Sequence, residues 1–207
     1  MSEKLTLYTN PMSRGRIARW MLEETGVPYE VEILGYGTSM KAPEYLAINP
    51  MGKVPAITHG DHVVTECAAI CTYLADAFPE AGLAPPLSQR AAYYRWLFFG
   101  AGPVEAAVTA HAMGLEAPAD KAATAGYGTY ENVMDVLEGV LSRNAHVAGA
   151  GFSAADVYVG AQIVWGLGFK TIDPRPAFID YAARMKERPA YQRADALDNA
   201  AGAEAEI

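Results

Sequence analysis

NPMGKVPAITHGDHVVTECAAICTYL, residues 49–74, is the stretch that decides the fold. Asn49-Pro50-Met51-Gly52 is turn chemistry, because proline presets φ and glycine accepts conformations closed to other residues. Val54 to Ile57 and Val63 to Thr65 are short β-prone runs, and His59-Gly60-Asp61 between them marks a tight hairpin. Thr65 then reads as the cap of a helix whose apolar positions Ala69, Ile70, Tyr73 and Leu74 repeat at helical spacing. Pro55 sits inside a strand signal, which implies an edge position or a cis peptide. Glu66 and Cys67 fall in the first helical turn, where backbone N–H groups and the helix dipole favour an anion. An edge strand beside such a helix start is a dock for an extended peptide, with its main chain paired to the strand and a terminal carboxylate on the helix.

Upstream, Lys4 to Tyr8 alternates apolar and polar residues as a first strand, and Thr9 to Ser13 is a loop broken by Pro11. A helix is expected from about Ser13 to Thr25, burying Ile17, Trp20 and Met21 and stopping at Gly26. Tyr29 to Leu34 reads as a second strand, Gly35 to Lys41 as a flexible connection, and Pro43 to Ile48 as a short helix. The order is βαβαββα. Downstream, Pro79 to Pro86 is rich in Ala, Gly and Pro, and no strand signal follows it. The division is therefore 1–80, a linker at 81–87, and an all-helical 88–207. Helices are expected at about Ser88–Met113, Asp120–Arg143, Ala154–Trp165 and Arg175–Glu187, with a shorter one after Pro189 and a fraying tail after Ala194. Gly100, Gly102 and Pro103 should bend or break the first of these. Ser153 and Asp156 have the spacing of a capping box.

At 207 residues the chain can bury one large core or two small ones. A formal charge of −8 disfavours nucleic acid and anionic membranes as partners. Met1-Ser2-Glu3-Lys4-Leu5 lacks an apolar signal core, and no run approaches membrane-spanning length, so a cytoplasmic location is expected. Two cysteines, Cys67 and Cys71, one helical turn apart, do not suggest a disulfide framework. His59 and His62 flank the hairpin tip as ordinary turn residues, and no metal site is expected.

Taken together, PEYLAINP (43–50), GKVP (52–55), the hairpin and TECAAI (65–70) resemble the glutathione-binding half of the cytosolic glutathione S-transferases. LYTNPMSRGRIARWMLEETGVPYE (7–30) fits the same family, and the bacterial and fungal GTT1-like type is the form it is most similar to. The resemblance implies a thioredoxin-like N-terminal domain with a mixed four-stranded sheet and an all-α C-terminal domain. It also implies glutathione as co-substrate, a small hydrophobic electrophile as second substrate, and a homodimer.

Such an enzyme must stabilise a thiolate. A free thiol has a pKa of about 8.5, and lowering it by about two units takes roughly 2.7 kcal/mol of preference for the anion. The family places a Ser, Tyr or Cys just after the first strand for this purpose. Ser13 occupies the place of the serine-type donor, although a helix cap is its ordinary reading. Tyr8 overlays the tyrosine-type donor and otherwise reads as a packed sheet residue; Asn10 is a third option as an amide donor. By resemblance, Val54 lends its backbone to the cysteinyl part of glutathione and a cis Pro55 aims it. Glu66 pairs with the γ-glutamyl ammonium, the Cys67 amide receives the γ-glutamyl carboxylate, and Lys53 meets the glycyl carboxylate. Cys67 replaces the family's usual Ser, and a thiol is a weaker donor than a hydroxyl. The resemblance leaves two other functions open: glutathione-dependent reduction of peroxides or disulfides, and a non-catalytic ligand-binding or protein-interaction module on the same scaffold.

Overall fold

The sheet is built around β1 (Leu5–Thr9), whose Leu5, Leu7 and Thr9 are buried on one face. In the computed structural model, which describes residues 3–149 and 151–205, β1 pairs in parallel with β2 (Glu30–Ile33) and antiparallel with β3 (Ala56–His59). β4 (His62–Thr65) completes the order β2-β1-β3-β4. Leu7 sits between Val31 and Ile57, and Ile57 faces Val64. His59 pairs with His62, so Gly60 and Asp61 form the two-residue turn, with Gly60 at φ 55° as such turns require.

Two helices cover the face that carries Leu7. α1 (Gly15–Thr25) buries Ile17, Ala18, Trp20, Met21 and Leu22 and ends at Gly26, whose φ of 69° lets its N–H reach the Leu22 carbonyl. α3 (Cys67–Ala77) buries Cys67, Ile70, Cys71 and Leu74 at helical spacing. A second cluster of Met40, Tyr45 and Ala56 lies beside α2 (Pro43–Leu46), with Tyr8, Leu34, Ile48 and Val54 packed onto it.

The first unit differs from the sequence reading at the start of α3 and in the Gly35–Lys41 connection. Thr65 closes β4 and is not the cap of α3; Glu66 holds that place at φ 62°, ψ 114°, without a side-chain cap bond. Of the two readings of Pro55 the cis peptide holds: it follows a cis Val54–Pro55 bond and precedes β3, which is an inner strand, while β2 and β4 are the edges. The Gly35–Lys41 connection is tied down, with Gly35 N–H bonded to Ser39 Oγ, Tyr36 Oη donating to the Met12 carbonyl, and a 3-10 turn at Ser39–Lys41.

By its contacts the chain divides into a unit that ends at Leu83 and is rejoined from Glu187 onward, and a second unit of residues Ala84–Lys186. The division at 88–207 therefore misplaces the last helix, α9 (Pro189–Ala205), which packs along α1 and stays helical well past Ala194. Its physical reason is charge. Arg188 bonds Glu24 at 2.6 Å, Arg193 bonds Glu23 at 3.0 Å, Arg16 bonds Asp195 at 3.1 Å, and Arg19 bonds Asp198 at 2.8 Å. The expectations for Met1 and Ser2, and for the last two residues of the tail, lie outside the described residues.

The second unit is built on helices: α4 (Ala91–Phe99), α5 (Glu105–Met113), α6 (Tyr130–Leu141), α7 (Ala154–Phe169) and α8 (Pro176–Lys186). Gly100–Val104 forms a π turn between α4 and α5, where Pro103 lacks an N–H to continue the α pattern. Residues 122–129 are not helical as expected; α6 starts only after Thr129, whose Oγ1 accepts the Asn132 N–H. α7 is buried almost all round. The capping box at its start is formed, with buried Asp156 accepting from the N–H groups of Ser153 and Val147, from Ser153 Oγ and from Tyr181 Oη. Burial raises the Asp156 carboxyl above its ordinary range despite those donors.

Asp156→Ala leaves these donors without an acceptor in a dry place, so it should destabilise the protein by about 3–5 kcal/mol in urea unfolding. Asp198 supplies a pH test. Burial lifts its folded carboxyl above the unfolded value of about 3.9, outweighing the pull of Arg19. Between those two values the native state holds more protons than the unfolded one, so this group's contribution to stability falls as pH rises from about 4. Asp198→Asn should flatten that fall in unfolding free energy measured against pH.

Candidate active site at two helix starts

The loop after β1 and the start of α3 meet. The buried Cys67 thiol donates to the Arg14 carbonyl at 3.6 Å, which brings the first residue of α3 against the residue that precedes α1. Helix starts carry N–H groups without intrahelical acceptors and a partial positive charge. Two of them converging make a corner suited to anions.

Ser13 stands at this corner, half-buried. Its Oγ accepts the Gly15 N–H at 2.9 Å and donates to the Asn10 carbonyl at 2.7 Å. The capping interaction expected of an ordinary N-terminal serine is thus present, two residues ahead of the first helical residue. Accepting from an N–H polarises the hydroxyl as a donor. Its proton points to a neutral carbonyl, and a charge-assisted bond to an anion would be stronger by about a factor of two. Gly15 makes the arrangement possible. A Cβ there would collide with Thr9 Oγ1 and come within 2.9 Å of Ser13 Oγ.

Asn10 and Tyr8, the other two candidate donors, have different surroundings. Asn10 spends its amide on the Leu34 carbonyl at 2.8 Å and its oxygen on the Met12 N–H at 2.9 Å, bracing the loop against the end of β2. Tyr8 packs into the cluster on the other face of the sheet, its ring centroid 5.7 Å from that of Tyr45.

On the hairpin side, Val54 is half-buried, Pro55 buried, and Lys53 and Glu66 exposed. The Lys53 carbonyl is held by Tyr45 Oη at 2.6 Å and Asn49 Nδ2 at 2.7 Å, so the turn entering the cis peptide is fixed from behind. Lys41, which the sequence reading passed over, donates Nζ to the carbonyls of Met51 and Gly52 and puts a second cation beside Lys53's turn. Nothing in the spacing of Lys41 marks it; only the fold of the preceding connection brings it there. Glu66 holds a backbone conformation at φ 62° that costs a non-glycine residue about 1–3 kcal/mol. Strain of this kind is kept where a side chain must point a given way.

Among the described residues no group of three or more His, Cys, Asp or Glu could hold a metal ion, and no helix is long and apolar enough to cross a membrane. His59 bonds the Tyr73 hydroxyl at 2.9 Å, a packing role. Arg16 and Arg19 turn toward α9. On α4, Tyr93 and Trp96 are buried while Tyr94 and Phe98 are exposed. An open groove of about 590 Å³ between α4 and α6, lined by Arg95, Trp96, Val140 and Arg143 among others, lies within the second unit and contains no residue named above as a donor or glutathione contact.

Residues 3–76 match the family model for the glutathione S-transferase N-terminal domain. The chain is 33% identical over 166 residues to glutathione S-transferase F10 of Arabidopsis thaliana, covering 74% of this chain and 76% of the relative. Among solved structures, a glutathione transferase from Methylococcus capsulatus superposes with a TM-score of 0.79 at 30% identity, covering 94% of this chain and 98% of that one. A sphingomonad glutathione S-transferase complexed with glutathione gives 0.77 at 29% identity, with coverage of 94% and 98%. The thioredoxin-like sheet, the helical second unit and these relatives agree: the chain belongs to the glutathione S-transferase family.

Proposed function

We propose that this protein conjugates the glutathione thiolate to small hydrophobic electrophiles, with the Ser13 hydroxyl holding the sulfur as an anion. One observation carries the reading. Ser13 Oγ lies at a helix start, already polarised by the Gly15 N–H, beside the start of α3. Turning its O–H from the Asn10 carbonyl to a thiolate gives up a neutral hydrogen bond, worth about 1 kcal/mol net, for a charge-assisted one of about 1.5–3 kcal/mol. The difference, added to the field of two helix starts, is of the order needed to lower a thiol pKa by one to two units.

Glutathione, which the sphingomonad relative holds, lies in this reading along the hairpin side. Val54 offers its backbone groups to the cysteinyl part beside the cis Pro55. Glu66 meets the γ-glutamyl ammonium, the Cys67 N–H its carboxylate, and Lys53 the glycyl carboxylate. Catalysis then comes from a thiolate present at neutral pH and from proximity to the electrophile. The protein works as a cytoplasmic homodimer of the bacterial and fungal GTT1-like type.

Ser13→Ala should raise the pKa of enzyme-bound glutathione, followed by thiolate absorbance, by one to two units. Turnover of a chlorinated nitrobenzene should fall about 10²-fold, with retention on immobilised glutathione preserved. An unchanged thiol pKa would remove Ser13 from the role. Glu66→Gly should leave stability intact or raise it by on the order of 1 kcal/mol, since glycine relieves the positive φ, while retention on glutathione falls at least tenfold. Undiminished retention would free Glu66 from the ammonium contact.

A further inference from the structure

The loop bearing Ser13 is clamped from two directions. On one side Asn10 ties it to the end of β2. On the other, Arg16 Nε donates to the Pro11 carbonyl at 2.5 Å, while its Nη1 and Nη2 reach Asp195 Oδ1 at 3.1 Å and Asn199 Oδ1 at 2.7 Å on α9. Asn199 Nδ2 returns a bond to Asp195 Oδ2 at 3.0 Å, so the two acceptors are themselves locked together. One turn further, Gly202 faces buried Pro11, close enough that a Cβ on it would lie 3.7 Å from Pro11 Cβ. The buried Arg19–Asp198 pair fixes the register in which α9 presents these groups. A single guanidinium thus joins the loop's main chain to a helix that begins 173 residues after it, at Pro189.

We propose that Arg16 is a positioning residue for the reaction, holding the Pro11–Ser13 loop in register against α9 so that the Ser13 hydroxyl meets the sulfur. The inference rests on the reading of Ser13 as the thiolate donor. Pro11 has no N–H, so its carbonyl is the handle by which that residue's peptide plane can be turned. Ser13 follows two residues later. A rotation of the Pro11 peptide plane would carry Ser13 Oγ off its line, and a donor displaced by an ångström loses much of its effect. The glutathione backbone, held from Lys53 to Cys67, does not depend on this clamp.

The test compares Arg16→Met with Arg193→Met. Arg193 joins α9 to α1 through Glu23, but at the opposite end of the helix pair and without touching the loop. The Arg16 variant is expected to raise the bound-thiol pKa by about one unit and lower kcat about tenfold, with KM for glutathione within about twofold of wild type. Arg193→Met should lower the melting temperature without moving the pKa. Should Arg16→Met fail to fold, Asn199→Ala removes one of the guanidinium's two acceptors on α9 and the bond that steadies the other, and should move the pKa in the same direction by a smaller amount. A bound-thiol pKa unmoved in the Arg16 variant, or in Asn199→Ala where that variant stands in, overturns the proposal. So does an equal shift in the Arg193 variant. If the wild-type protein gives no thiolate signal with glutathione, the Ser13 reading falls and this inference with it. If that signal is present, lost in Ser13→Ala and intact in Arg16→Met, only the clamp is wrong.

Discussion

The first unit depends on how closely α1 is allowed to approach the end of β1. Gly15 occupies a place where any side chain would meet Thr9 Oγ1, and Thr9 is itself wholly buried. That contact sets where the helix begins, and from there the rest follows. Ser13 Oγ falls within reach of the Gly15 N–H, the Arg14 carbonyl faces Cys67, and Arg16 emerges toward α9. A larger residue at position 15 would push the helix start outward and separate the two N-termini whose fields add at the corner. The constraint is steric, and the chemistry is electrostatic; the first makes the second local.

How legible this was in the sequence depends on range. Alternation and turn residues gave β1, the hairpin and α1 close to their true limits, because those signals are local and the sheet register follows from which face is apolar. Glu66 and Cys67 could be singled out because each sits at an element boundary, where anion preferences are written in a few residues, whereas Ser13 reads there as an ordinary cap and only the family resemblance makes it a donor. What could not be read is what the tertiary fold assembles. Lys41 reaches the Met51–Gly52 turn only once the β2–α2 connection folds back. Thr65 looks like a cap by composition, but the backbone's positive φ at Glu66 moves the helix start past it. The Ala-rich tail after Ala194 reads as frayed in isolation, since a helix of such length is marginal without packing. It is ordered as helix as far as Ala205 because α9 packs along α1 with Ala194 and Asp198 buried.

The two buried acids illustrate how similar chemistry serves different ends. Asp156 is surrounded by donors that belong to its own unit's backbone and to Tyr181, and it organises the start of the most buried helix. Asp198 pairs with Arg19, and its Oδ2 has no hydrogen-bond partner among the described residues. A half-satisfied buried carboxylate is a poor source of stability, since its desolvation offsets most of the attraction. Its value lies in registry.

The charges along α1 and α9 show the same preference for registry over local stability. Basic residues at the start of α1 and acidic ones at its end oppose that helix's own dipole, and neither helix has an acid in its first turn or a base in its last. Taken alone, each helix is weakened by a few tenths of a kcal/mol per charge. Laid antiparallel, Arg16 and Arg19 meet Asp195 and Asp198, while Glu23 and Glu24 meet Arg193 and Arg188. A parallel arrangement, or a slide of two turns, would set like charges against each other. The edge-to-face contact of Trp20 with Tyr191, centroids 5.0 Å apart, fills the middle of the seam without choosing a register. The ion pairs make the choice, and they make it for a helix distant in sequence that must arrive within one turn of its place for Asn199 to reach Arg16.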